Sequence, residues 1–130
     1  MNAVSQATGA ALLRVALGVM FIAHGLLKVM VYTLPGTAAY FESIGLPGFL
    51  GYVVAVTEVG GGLMLVAGLY TRWVAIALAP VLLGATWAHV GNGWVFSAEG
   101  GGWEYPLFLT LAAVAVALIG PGRWALRRAA

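Results

Sequence analysis

Residues 20–32 read MFIAHGLLKVMVY. The stretch is almost wholly apolar, yet it holds His24 and Lys28 four residues apart. Helical residues i and i+4 lie roughly 40° apart around the axis, so the two ionisable groups share one face. A segment that is apolar everywhere else suits a lipid solvent, with the polar face turned toward neighbouring helices.

Composition agrees. Of the 130 residues, 62% are hydrophobic and only 8% are charged, and the mean hydropathy is +0.99. A soluble globular domain carries about 25% charged residues and needs them to cover its surface. Nineteen glycines fit a membrane chain too, because glycine lets transmembrane backbones approach closely. The absence of cysteine excludes disulfides, thiol redox chemistry and thiolate metal sites within the chain. No metal site is expected. The net charge of +2, with basic residues clustered only near the C-terminal end, gives no nucleic-acid signal. The expected surroundings are the lipid bilayer.

Four apolar segments approach the roughly 20 residues that a crossing helix needs. They cover about 10–32, 49–70, 73–90 and 105–119, the last being the shortest. The fold expected is all-α, a four-transmembrane-helix bundle forming a single membrane domain. GLYTRW joins the second and third spans tightly, whereas TLPGTAAYFESIGLPG and GNGWVFSAEGGGWEYP form longer loops on the other side. Their Gly, Pro and aromatic content reads as ordered loop. Residues 37–44 predict a short interfacial helix carrying Tyr40, Phe41 and Ile44. The tight turn carries Arg72, and the C-terminal end carries Arg123, Arg127 and Arg128, while the long loops carry Glu42, Glu99 and Glu104 and no Lys or Arg. Basic residues mark the cytoplasmic side, which places both termini there. No basic residue precedes Arg14, and the first apolar stretch exceeds a signal core, so it reads as a retained span.

Two stripes hold the polar groups. In the first span Arg14, Gly18, Phe21, Gly25 and Lys28 share a face, with His24 beside Gly25. In the second the stripe reads Glu58, Gly61, Gly62, Leu65 and Gly68 and points on to Arg72. Glycines beside charges allow a neighbouring helix or a ligand to come close. At about 1.5 Å per residue, His24 and Glu58 both lie roughly 12–14 Å from the outer ends of their spans. Lys28 and His89 lie nearer the surface. The expected arrangement is a polar pocket open to the outer side: His24 with Glu58, Lys28 with His89 above them, and Glu104 and Glu42 at the mouth. An ionised carboxylate alone at that depth costs several kcal/mol, so Glu58 needs a partner, and Lys28 has the reach. Ordinary readings compete. Arg14 and Arg72 also read as interface anchors, Lys28 as a snorkelling side chain, and His89 as a hydrogen-bonded helix-end residue. Glu58 is the hardest to explain as structure alone.

The segments LLRVALGVMFIAHGLLKV, GLPGF and EVGGGLMLVAGLYTRWVAIAL, followed by a histidine ending the third span, resemble the DoxX family of small four-helix membrane proteins. The resemblance runs from Leu12 to about Gly120, and the ending NGWVFSAEGGGWEYPLFL looks like a bacterial branch, which implies the inner membrane. The family takes its name from a subunit of a thiosulfate:quinone oxidoreductase. Other members are tied to membrane oxidoreductase and oxidative-stress complexes, and distant relatives serve as chaperones or cargo receptors. The resemblance therefore implies a subunit supporting a quinone-linked oxidoreductase, with His24, Lys28 and His89 as donors, Glu58 as proton relay, and a soluble or membrane partner bringing electrons. A haem held by His24 and His89 is disfavoured, because their depths differ by roughly 10 Å. A non-catalytic scaffold and a small-solute binder or transporter are the alternatives. Whether the chain is itself an enzyme, and whether it forms a homo-oligomer, stay open.

Overall fold

Asn2 starts the first helix, its side chain accepting a hydrogen bond from Ser5 N at 2.8 Å and so satisfying one free donor of the first turn. The computed structural model describes residues 2–95 and 97–127. In it α1 runs over Ala3–Leu26 and continues as a π-helical turn over Leu27–Val31. The helix begins earlier than the expected 10 because hydropathy marks where lipid begins, whereas the Asn2 cap marks where hydrogen bonding begins. Short helix α2 (Leu34–Ser43) follows, with Thr33 Oγ1 accepting from Gly36 N at 3.2 Å and Pro35 in the first turn. It is the expected outer-loop helix, begun three residues early. Thr37 on its inner face is buried, and a Cβ added at Gly51 would lie 3.0 Å from Thr37 Cγ2. So α2 packs onto the start of α3 (Phe49–Ala67).

Gly68 stops α3. Its φ of 76° and ψ of 42° are left-handed, and the N–H groups of Gly68 and Leu69 both reach Met64 O, at 2.8 and 2.9 Å. Glycine takes that backbone without a Cβ penalty. Helix α4 (Thr71–His89) starts three residues later, so α3 and α4 run antiparallel. Arg72 therefore belongs to the first turn of α4, which corrects its reading as a continuation of the Glu58 stripe. Pro80 lies inside α4 on an exposed face, leaving the Ile76 carbonyl without its helical donor. A 3₁₀ turn over Val90–Asn92 leads into the second long loop. Asn92 Nδ2 donates to Gly100 O and Gly101 O at 3.2 and 2.9 Å, and Trp94 meets Trp103 edge-on at 4.5 Å. Helix α5 (Glu104–Ile119) completes the bundle.

The largest helix contacts are α1 with α3 and α4 with α5, and smaller ones between α3 and α4 and between α1 and α5 close the ring. Leu17, Phe21, Leu65, Ala75, Leu78, Leu82, Ala113 and Val116 fill its centre. Glycines set the α1–α3 distance: a Cβ at Gly18 would lie 2.8 Å from Gly62 O, and one at Gly62 would lie 2.7 Å from Gly18 O. The outer faces are apolar, with Leu12, Val56, Ile76, Leu111 and Leu118 all exposed. An exposed apolar surface on every side is what lipid, not water, accommodates. Helix α1 with its π turn, α3, and α4 with its 3₁₀ turn are long and apolar enough to cross a membrane, and α5 is a shorter apolar helix of 16 residues. At about 1.5 Å per residue it rises roughly 24 Å, somewhat less than a 30 Å hydrocarbon core. The fold is an all-α membrane bundle.

After α5 the chain folds back under the bundle as a strap. Arg123 N donates to Ala7 O at 3.1 Å, while Leu126 N and Arg127 N reach Ala67 O and Gly68 O at 3.0 Å each. Arg14 does not snorkel: it is 1% exposed and donates to the strap carbonyls of Pro121 (2.6 Å), Arg123 (3.1 Å) and Trp124 (3.5 Å). Backbone oxygens thus compensate a buried cation. Arg128, the last basic residue used to orient the chain, lies outside the described residues.

Candidate functional site

The α1–α3 seam builds the site. A Cβ at Gly25 would lie 2.6 Å from Val59 Cγ2 and 3.1 Å from Ala55 O, so only glycine lets α1 lie this close beside Glu58. One turn on, the helix widens: Tyr32 N bonds to Leu27 O at 2.9 Å, the i to i+5 pattern of a π turn. Such turns are rare and often sit at functional sites. Lys28 lies in this one, and its own carbonyl accepts a hydrogen bond from Thr37 Oγ1 at 2.9 Å. Helix α2 therefore supports the turn that aims the lysine.

Lys28 Nζ lies 2.7 Å from Glu58 Oε1, with side-chain exposures of 23% and 6%. The approach falls outside hydrogen-bond geometry at Oε1, so the attraction is mainly Coulombic. Glu58 thus meets Lys28, the partner with reach, across the two expected layers. His24 stands within electrostatic range of both. Its ring lies near-parallel to that of Tyr105, centroids 6.0 Å apart and planes 22° apart. His89 meets the same tyrosine edge-on, also at 6.0 Å and at 68°. The two histidines are thus linked through one ring, and His89 Nδ1 is already engaged with Ala85 O at 2.7 Å.

Tyr105 is the residue that sequence reasoning missed. The available signal was its depth: it opens the fourth span at the level of Lys28 and His89. It also lines a hollow of about 420 Å³ with Trp94, Glu104, Leu107, Phe108 and Leu111. Glu104 thus sits beside Tyr105, whereas Glu42 lies against Gly48 at the α2–α3 turn. The glycine stripe of α3 divides between two neighbours. Gly62 faces Gly18 on α1, and Gly61 faces Leu78 on α4, whose Cδ1 would lie 3.0 Å from an added Cβ. Arg14 and Arg72 belong to the opposite end of the bundle, by the strap. Among the described residues no group of three or more His, Cys, Asp or Glu is arranged to hold a metal ion.

Over 77 residues the chain is 46% identical to a protein of Bacillus subtilis (strain 168) named "Putative oxidoreductase CatD", covering 59% of this chain and 56% of that protein. Over 75 residues it is 36% identical to the inner membrane protein YqjF of Escherichia coli (strain K12), covering 58% and 56%. The matched stretch therefore spans little more than half the length of either relative. No solved structure matches significantly. The sequence model of the DoxX family matches residues 9–91, which include His24, Lys28, Glu58 and His89 together with the glycine-packed seam, and the chain belongs to that family.

Proposed function

We propose that this protein is the membrane component of an oxidoreductase system of the bacterial inner membrane, and that His24, Lys28, Glu58, Tyr105 and His89 receive the polar head of a quinone from the outer side. The observation that carries the reading is the Lys28–Glu58 contact of 2.7 Å beside the two histidines and Tyr105. These groups are expensive in a bilayer, and a purely structural bundle does not need them together. Their chemistry fits a quinone head, whose two carbonyls need hydrogen-bond donors. Lys28 Nζ, the His24 ring and the Tyr105 hydroxyl can each donate, whereas His89, whose Nδ1–H is given to Ala85 O, offers Nε2 as an acceptor when neutral and as a donor only when protonated. Glu58 holds the Lys28 ammonium and can accept its proton, so the pair can serve general acid–base work. A quinone bound there would accept electrons from a partner protein, soluble or membrane-bound, because the chain has no cysteine and no cofactor motif. The name of the Bacillus relative supports an oxidoreductase role, and the quinone is what the resemblance to the family implies.

The deciding measurement is quinone reduction in membranes carrying the wild type, Glu58→Gln or His24→Gln at matched folded levels, with lipid extraction of the purified wild type. Both substitutions are expected to lower the rate by about a hundredfold, the lower end of the range for losing one acid–base group, and the wild type is expected to retain quinone. One observation favours a scaffold instead: the ion pair bridges the two most closely packed helices. Unchanged rates in both variants, with no quinone retained, would select that reading.

A further inference from the structure

The end of the bundle remote from Lys28 carries a second feature that the redox reading does not use. Arg72 begins α4 and His89 ends it, so roughly 26 Å of helix separates the two sites. Here a hollow of about 400 Å³ opens between the first turns of α1, the start of α4, the end of α5 and the strap, lined by Ala3, Gln6, Ala7, Arg72, Ile119 and Gly122 among others. Charge is segregated toward it. Among the described residues this end holds Arg14, Arg72, Arg123 and Arg127, while all four acidic side chains lie elsewhere: Glu42 on α2, Glu58 within α3, Glu99 in the outer loop and Glu104 at the start of α5.

Three of these cations are engaged. Arg14 is held by strap carbonyls. Arg123 Nη1 donates to Thr8 Oγ1 at 3.3 Å and its guanidinium lies 4.5 Å over the Trp124 ring. Arg127 lies 4.6 Å over the Tyr70 ring. Arg72 has no carboxylate partner among the described residues and instead lies over Gly120, where an added Cβ would sit 3.0 Å from its Nη2. Gly120 has φ 92°, a backbone that glycine takes freely, so the position both turns the chain and leaves room for the guanidinium.

We propose that this hollow binds the phosphate of an anionic phospholipid, with Arg72 as its fork-shaped donor and the Gln6 amide as a second donor. The guanidinium fork matches two phosphate oxygens at once. A lipid fits better than free phosphate because the hollow is continuous with lipid-facing surface: Ile119 lines it and is exposed, as are Leu118 and Val4 beside it. The acyl chains then run along that surface while the headgroup neutralises an end that has no acidic side chain of its own. Basic hollows between membrane helices bind anionic headgroups in this manner.

The test uses the full chain purified in detergent, with phosphatidylglycerol or phosphatidylcholine titrated in and retained lipid read by native mass spectrometry. The wild type is expected to hold one phosphatidylglycerol in preference to phosphatidylcholine. Arg72→Gln should weaken that retention about fivefold, the size of one lost basic contact at a membrane surface. Gln6→Leu, on an exposed face, should weaken it about threefold through loss of one hydrogen bond. Arg127→Gln should leave it within about twofold, since Arg127 does not line the hollow. Equal retention of the two lipids by the wild type, or unchanged retention in both Arg72→Gln and Gln6→Leu, would overturn the assignment. Displacement of the lipid by millimolar inorganic phosphate would reassign the hollow to a free anion and so overturn the lipid as occupant.

Discussion

Glu58 carries a charge where lipid offers nothing to compensate it, and its stability therefore depends on Lys28 at 2.7 Å. Removing one member of a buried pair strands the other, at a typical cost of about 3–5 kcal/mol. Glu58→Ala should approach the lower end of that range, because Lys28 is 23% exposed and can find other partners. Glu58→Gln should be milder, at about 1–3 kcal/mol, because it loses the Coulombic attraction but the amide fills the space and presents a carbonyl oxygen to the Lys28 ammonium. Replacing both groups by apolar ones, Glu58→Leu with Lys28→Met, should recover most of the loss, since neither charge is then left alone. Thermal unfolding in detergent ranks the three, and a Glu58→Gln variant as unstable as Glu58→Ala would show that charge, not shape, holds the site.

At the scale of the helices, close approach through glycine sets the site's geometry. Gly18 and Gly62 bring the backbones of α1 and α3 together, Gly25 extends that seam to the level of Glu58, and the π turn then carries Lys28 over it. Two neighbouring glycines of α3 separate this effect from helix propensity. A Cβ at Gly62 meets the Gly18 backbone oxygen at 2.7 Å and cannot be relieved by a side-chain rotation, whereas a Cβ at Gly60 meets nothing within 4 Å. Gly62→Ala should thus destabilise by about 1–3 kcal/mol through overpacking. Gly60→Ala should be neutral or stabilising by up to about 1 kcal/mol. Melting temperatures of the two single variants check the contrast, and equal effects would contradict the close seam.

For the whole molecule, the segregation of charge is the dominant feature. The end carrying Arg14, Arg72, Arg123 and Arg127 also carries the first turn of α1 and the strap, while Glu42, Glu99 and the polar cluster lie toward the other end. By the positive-inside rule we expect the basic end of such a bundle to face the cytoplasm. Because the chain has no cysteine, single Ser→Cys variants report orientation without background. Ser97→Cys in the outer loop is expected to react with an impermeant thiol reagent in intact cells, and Ser5→Cys at the start of α1 only after the membrane is opened. The inverse labelling would place the cluster on the cytoplasmic side and invert the proposed direction of ligand entry.

The sequence by itself determined the solvent, the helical class and the order of the polar groups along each helix. Hydropathy is a property of neighbouring residues, and rise per residue converts position into depth. That is why Glu58, His24 and Lys28 could be brought together on paper, and why the glycine stripe of α1 announced a close neighbour. The tertiary structure decided which neighbour and which partner. Gly61 and Gly62 are adjacent in the chain yet face different helices, because their directions around α3 differ by about 100°. Tyr105 joins the two histidines only because the helix ring sets the start of α5 beside the ends of α1 and α4. The Arg14 Nη1 group donates to carbonyls more than 100 residues away, and backbone oxygens carry no side-chain signature that a sequence could display. Partner choice depends on azimuth and on contacts remote in the chain, and those exist only once the helices have packed.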